Sequence, residues 1–268
     1  MLILITTLGR ATKHKAIAQI PEALHKHVRV FTQEAQADEY RQHLPSTIQL
    51  LTLPDDTDGI AQTRQRAIDA LPKGKVWVID DLCIFKKRTI TPERIIYEPV
   101  TAEQFTDLYE SIEMLLERFI QVGVSSHNGN NRILDEITLN NRAYSTYGLR
   151  TDIMARQRIE FDAMYKQDKT CKYMEDFYIT LDALTKGYAN CVIYDYCFLY
   201  AHNTAGGNST NRTLEGHGAS AAALAKRFPL FVKLIQKEGK WGTQQMDSRT
   251  EVTVQWKKAY QHGMKRTK

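Results

Sequence analysis

The run VWVIDDL at 76–82 is apolar until it ends in two adjacent carboxylates, Asp80 and Asp81. A buried strand that stops on acids sets oxygen ligands at the C-terminal edge of a parallel sheet, the edge at which open α/β sheets bind ligands. Oxygens suit hard cations, so Asp80 and Asp81 are candidates to hold Mg²⁺ or Mn²⁺ against a diphosphate, and the plainer alternative is a solvated strand end. Arg64 lies inside the apolar stripe of its own helix, one turn after Ile60, where a bare charge is costly. A guanidinium there fits either a phosphate or a structural ion pair with the 80–81 acids. Glu175 and Asp176 open a later helix. Acids suit a helix N-terminus electrostatically, and the same pair can supply a general base for an acceptor hydroxyl.

Softer candidates lie in loops. TTLGR at 6–10 follows the first strand, and its Thr6, Thr7 and Arg10 are suited to a nucleotide through hydroxyls, amides and a guanidinium. AGGNSTNRT at 205–213 combines backbone freedom with hydroxyls and Arg212, enough to cradle a phosphate or a DNA backbone. It lacks the lysine-serine ending of a P-loop, which argues against an ATPase. His127, His202 and His217 are possible metal or phosphate ligands, or merely solvated. Trp256 before Lys257 and Lys258 can stack on a base while the lysines meet phosphate, or can be a core tryptophan with snorkelling neighbours.

The elements that position these residues follow from pattern. Strands are expected at 2–6, 28–31, 48–53 and 76–80, with a helix over 58–71 capped by Asp58. Helices of that length between strands imply βαβ units and a mainly parallel sheet. Thr101 and Gln104 form a capping box for a long helix expected over 102–122, closed by Gly123. The polar stretch 124–132 reads as a loop. A helix over 174–186 closed by Gly187, a strand at 190–200, a helix near 217–238 and a strand at 250–256 complete the pattern. The expectation is a single α/β domain over 1–268, with no internal repeat or interdomain linker.

Composition narrows the class. Of 268 residues, 43% are hydrophobic and 25% charged, the proportions of an ordinary globular chain. No apolar run approaches the roughly 20 residues that span a bilayer. The apolar start is too short for a secretory signal, so no membrane association and a cytoplasmic location are expected. The four scattered cysteines read as buried thiols rather than as zinc ligands. A net charge of +5 permits contact with a polyanion without requiring it.

Taken together and in order, TTLGR (6–10), GIAQTRQRAI (59–68), VWVIDDL (76–82), VGVSSHNGNNR (122–132), MEDFYITLDALTKGYAN (174–190), AGGNSTNRT (205–213) and SRTEVTVQWKKAY (248–260) resemble the phage TET-associated glycosyltransferases, relatives of the GT-A superfamily. The resemblance implies a GT-A-like nucleotide-sugar-binding fold, with a nucleotide-sugar half at 1–100 and an acceptor half at 101–268. It implies transfer of a sugar, from a UDP-sugar or similar donor, to 5-hydroxymethylpyrimidine in phage DNA such as 5-hydroxymethylcytosine. Thr7, Arg10 and Arg64 would face the nucleotide, with Thr6 and Asp80 beside them. Asp80 and Asp81 would stand at the DxD-type metal motif, with His202 a candidate third ligand. Asp176, with Glu175 adjoining, would be the base. Ser125, Ser126, His127, Arg212, Trp256, Lys257 and Lys258 would lie toward the acceptor. Two departures stand out: Ile79 fills the first place of the family's usual acid triplet, and Asn208 replaces a common cysteine. Competing readings are the same chemistry on a non-DNA acceptor, a nucleotidyltransferase, and an inactive DNA-binding accessory protein.

Overall fold

The computed structural model of the protein describes residues 1–201, 213–238 and 248–266. His202, Arg212 and the rest of the segment 205–212 lie outside the described residues, so their expected roles have no structural counterpart here. Among the described residues no helix is long and apolar enough to cross a membrane.

The first half alternates as the pattern predicts. Strands β1 (Leu2–Thr6), β2 (Val28–Gln33), β3 (Gln49–Leu53) and β4 (Lys75–Asp80) are joined through helices that include α1 (Ala37–His43) and α2 (Gly59–Asp69). All three pairings among these strands, β3 on β2, β2 on β1 and β1 on β4, are parallel. The chain then adds β5 (Cys83–Ile90), β6 (Ile95–Pro99), helix α3 (Ala102–Leu115), β7 (Gln121–Ser126), a single irregular turn α4 (His127–Asn130), β8 (Ile137–Leu139) and β9 (Thr146–Arg150). Short helices α5 (Thr151–Gln157) and α6 (Ala163–Gln167) lead to α7 (Glu175–Thr185) and the long strand β10 (Asn190–Tyr200). Helix α8 (Leu214–Arg227), the hairpin β11 (Val232–Lys237) and β12 (Arg249–Val254), and α9 (Trp256–Arg266) complete it.

The central sheet runs β3-β2-β1-β4-β9-β7-β10-β5-β6, with β8 also on β10. It is parallel along β3-β2-β1-β4 and between β7 and β10, and antiparallel at its other pairings. β9 enters antiparallel between β4 and β7, and β5, β6 and β8 also run antiparallel to their neighbours. Strand alternation sorts the core into two layers. Val76 and Val78 join a layer with Ala67 and Ile68 of α2 and Leu181 of α7, while Trp77 and Ile79 join one with Phe105, Leu108 and Ile112 of α3.

Three sequence expectations need correction. Helix α3 carries the expected Thr101–Gln104 capping box, but it ends at Leu115 rather than near 122. The run QVGVSS from Gln121 is a central strand. Gly123 serves close packing instead of a helix end, since a Cβ there would meet the Ala143 Cβ at 2.7 Å. The helix expected near 217–238 stops at Arg227 because Pro229 follows, and the chain turns into β11. The last strand ends at Val254, so that Trp256 opens α9.

Candidate active site

The C-terminal ends of β1, β2, β3 and β4 open into a cleft of about 1020 Å³. That is the upper end of the size range of small-molecule sites, roughly 300–1,000 Å³. Its far wall is the first turn of α7, the end of β10 and the segment 142–145. Strand parity decides which acid faces it. Ile79 points into the α3 layer and is fully buried, so an acid there would put a carboxylate into that apolar layer. Asp80, one residue on, emerges on the opposite face, beside α2 and α7.

Thr6, Thr7, Arg10, Arg64, Asp80, Asp81, Ser126, Glu175 and Asp176 all line the cleft. Most are tied to one another. Arg64, 3% exposed, donates to Asp80 Oδ1 at 2.5 Å and to Glu175 Oε1, and its guanidinium lies 5.7 Å from the Tyr147 ring. Burial opposes its charge, but Tyr147, Asp80, Glu175 and Asp176 outweigh that and raise its pKa well above the usual value. Arg64 is thus an ion-pair partner that also borders the cleft. Burial dominates Glu175 in the other direction. Despite Arg64, desolvation with help from Asp176 and Asp80 pushes its carboxyl up to about 7.

Asp81 is held differently. Its Oδ1 takes Arg10 Nη1 at 2.8 Å and its Oδ2 takes the Thr7 hydroxyl at 2.7 Å. Tyr40 joins this knot, with its hydroxyl 2.9 Å from Thr7 Oγ1 and accepting the Arg10 amide at 3.0 Å. Desolvation raises the Asp81 pKa against the pull of Arg10 and Thr7. Both oxygens of Asp81 are thus engaged by protein donors at the edge of the cleft. Among the described residues no group of three or more His, Cys, Asp or Glu side chains is arranged to hold a metal. Asp80 is the acid at the strand end whose Oδ1 alone meets Arg64. One such carboxylate is a donor set that fits Mg²⁺ or Mn²⁺ when substrate phosphates and water supply the rest.

Asp176 meets a residue that neither periodicity nor motif singles out. Arg142 donates to Asp176 Oδ2 from Nη2 at 2.9 Å and from Nε at 3.3 Å. Its guanidinium carbon lies 3.8 Å from the Phe177 ring centroid and 4.4 Å from that of Tyr144. Two non-glycine residues of the far wall, Ser145 (φ 58°) and Met174 (φ 62°), adopt the left-handed region, a costly conformation often found at functional sites. His217 and Glu251 also line the cleft, 3.3 Å apart.

The remaining expected residues are not brought into the cleft. Ser125 is buried, bonded to the Tyr196 carbonyl and to Asn130. His127 packs edge-on to Tyr97 in an adjoining recess. Trp256 packs on Phe177 with ring centroids 5.7 Å apart and planes tilted by 33°, and Lys257 and Lys258 are exposed at the start of α9. The tryptophan therefore packs on the core, with its lysines in solvent.

Comparison with known proteins agrees with this architecture. The beta-glucosyl-HMC-alpha-glucosyl-transferase of Enterobacteria phage T2 is 23% identical over 244 residues, spanning 87% of this chain and 81% of that protein. Its counterpart from phage T6 is 23% identical over 255 residues, spanning 91% and 85%. Among solved structures, glucosyl-3-phosphoglycerate synthase from Mycobacterium tuberculosis, in complex with Mn²⁺, UDP and glucosyl-3-phosphoglycerate, is similar in fold. Its TM-score is 0.50 at 10% identity, covering 94% of this chain and 86% of that one. The fold is of the GT-A type. Residues 1–208, well over half of the chain, match the TET-associated glycosyltransferase model, and the protein belongs to that glycosyltransferase family.

Proposed function

We propose that this glycosyltransferase moves a sugar from a nucleotide sugar, a UDP-sugar foremost, to a 5-hydroxymethylpyrimidine in DNA, with Asp176 as general base. One observation carries the reading. The cleft sets Thr6, Thr7 and Asp80 at strand ends, with Arg10 of the following loop and Arg64 of α2, a group suited to a nucleotide diphosphate, opposite the paired acids that open α7. The phage T2 and T6 relatives carry HMC and glucosyl groups in their names, which supports a modified-pyrimidine acceptor and a hexose.

In this mechanism the near wall binds the donor. Asp81 fixes Arg10 and Thr7 beside the nucleotide, and Glu175 fixes Arg64 toward the diphosphate. Asp80 would hold a divalent cation, which when bound neutralises charge developing on the leaving diphosphate. On the far wall Asp176 takes the proton of the attacking hydroxyl. Arg142, clamped by two rings, fixes the Asp176 carboxylate through Oδ2 alone. A duplex base would have to leave its stack to reach the cleft. The first hundred residues thus serve the donor and the remainder the acceptor. Ile79 does not argue for an inactive protein, because its side chain belongs to the core layer rather than to the cleft.

The test is nucleoside mass spectrometry. DNA containing 5-hydroxymethylcytosine or 5-hydroxymethyluracil is incubated with protein, Mn²⁺ and a panel of nucleotide sugars, beside an Asp176→Asn control. A hexose or pentose mass is expected with the unaltered protein, and kcat about 10²- to 10⁴-fold lower with the variant. Donor hydrolysis with no added mass would remove DNA as acceptor. Undiminished transfer by Asp176→Asn would remove Asp176 as the base.

A further inference from the structure

Beside the cleft lies a second, more open recess of about 470 Å³, lined by Ile95, Tyr97, His127, Asn128, Gly129 and Asn131. Asn128 lines both cavities, so the recess continues the cleft rather than standing apart from it. Its wall is built and held. The Tyr97 and His127 rings meet at 63° with centroids 4.6 Å apart, forming an aromatic corner. The Tyr97 hydroxyl donates to Asn130 Oδ1 at 2.9 Å. Asn130 is 1% exposed, and its amide is fixed in turn by Ser125 Oγ at 2.5 Å and the Tyr194 carbonyl at 2.9 Å. Behind the rings there is thus a buried polar brace that sets the Tyr97 ring. Gly129, at φ 91°, turns the chain there, and the Arg132 side chain runs alongside, its Cδ 4.0 Å from where a Gly129 Cβ would sit.

A corner of aromatic rings with two primary amides is the chemistry that receives a nucleobase: a ring to stack on and edges to hydrogen-bond. We infer that this recess takes the base next to the one being modified, so that the enzyme grips an acceptor strand by two successive nucleotides. The inference rests on the DNA acceptor proposed above. A base drawn into the cleft has its strand neighbour one nucleotide away, and Asn128 joins the two cavities at that boundary. Tyr97 acts here through stacking, with Asn130 as its positioning residue.

The test is a cycle between protein and substrate. Oligonucleotides carry one 5-hydroxymethylpyrimidine, with the neighbouring position on either side intact or abasic, and KM for the oligonucleotide is measured for the unaltered enzyme, Tyr97→Ala, Tyr97→Phe and His127→Ala. Thermal transitions of the variants establish that each is folded. Removing one neighbouring base should raise KM about 5- to 150-fold, as loss of a single base–aromatic stack does. Tyr97→Ala should raise it comparably on the intact strand and add little on the abasic one. Tyr97→Phe, which keeps the ring, should stay much nearer the unaltered enzyme. Additive effects, or no effect of Tyr97→Ala on a strand that is still glycosylated, would overturn the inference and leave the DNA acceptor standing. The same holds if the Tyr97 effect tracks a sugar already on the acceptor base rather than its neighbour. If no modified DNA is glycosylated at all, the acceptor reading fails and this inference falls with it.

Discussion

Glu175 should make the stability of this protein fall as pH rises, and the size of the effect follows from its surroundings. Its carboxyl is 5% exposed and pushed up to about 7, from 4.5 in an unfolded chain, because desolvation outweighs the nearby Arg64. A group whose pKa is raised on folding binds its proton more tightly in the native state. Its contribution is therefore complete below about pH 4.5 and is lost as pH climbs through about 7. At about 1.4 kcal/mol per unit of pKa, the loss over that window comes to about 3 kcal/mol. Glutamine mimics the protonated acid in shape and cannot ionise. Urea unfolding of the unaltered protein and of Glu175→Gln, each at several values between pH 4.5 and 8, isolates the term as a difference, since other titrating groups are common to both. The two should be close at pH 4.5, with the variant gaining relative stability up to about pH 8. A difference that stays constant across the window would show that Glu175 is ionised throughout. The Arg64 pair, rather than burial, would then dominate its chemistry.

Two further outcomes follow from packing and pairing. Asp81→Asn removes the carboxylate charge from a buried guanidinium and should cost about 3 kcal/mol in urea unfolding, the scale for breaking a buried pair. Adding Arg10→Met to it should cost less than the two changes summed. Gly123→Ala drives a methyl to within 2.7 Å of the Ala143 Cβ in the middle of the sheet. Overpacking of that kind costs about 1–3 kcal/mol and should lower the thermal midpoint by roughly 2–12 °C.

What the sequence disclosed and what it concealed divide along physical lines. Asp80, Arg64 and the Glu175–Asp176 pair were legible because each breaks a local rule: acids ending an apolar strand, a charge within an apolar stripe, adjacent acids at a helix start. Local rules have a reach of about one helical turn or one strand pair. Arg142 and Tyr40 escaped because their roles are made only by long-range contacts, Arg142 with Asp176 and Tyr40 with Thr7, 34 and 33 residues apart. β5, with its KKR stretch, and β9, with Gly148, lack the apolar alternation that marks a strand, yet both are paired into the sheet. Gly148 is there because the Ile112 side chain occupies the space a Cβ would need, at 2.5 Å. Trp256 stays ambiguous in the sequence for the opposite reason: an aromatic beside two lysines has the same local signature whether it meets a base or packs, as here, on the Phe177 ring.

The two acids that open α7 are adjacent in sequence, but helix geometry gives them separate partners. Consecutive residues on an α-helix point roughly 100° apart. Glu175 accordingly turns toward the β4 wall, where Arg64 joins it to Asp80, while Asp176 turns toward segment 142–145, where Arg142 holds it. Each arginine thereby couples one acid to one side of the cleft. Met174, forced into a left-handed conformation immediately before the helix, sets the angle at which that first turn enters. The separation has a chemical consequence. Burial, with help from Asp176 and Asp80, pushes the Glu175 carboxyl up to about 7, and Asp176 meets a guanidinium of its own. Two adjacent carboxylates take separate partners only when their environments differ, and the differing environments here are the buried Arg64 shared with Asp80 and the Arg142 guanidinium beside the Phe177 and Tyr144 rings.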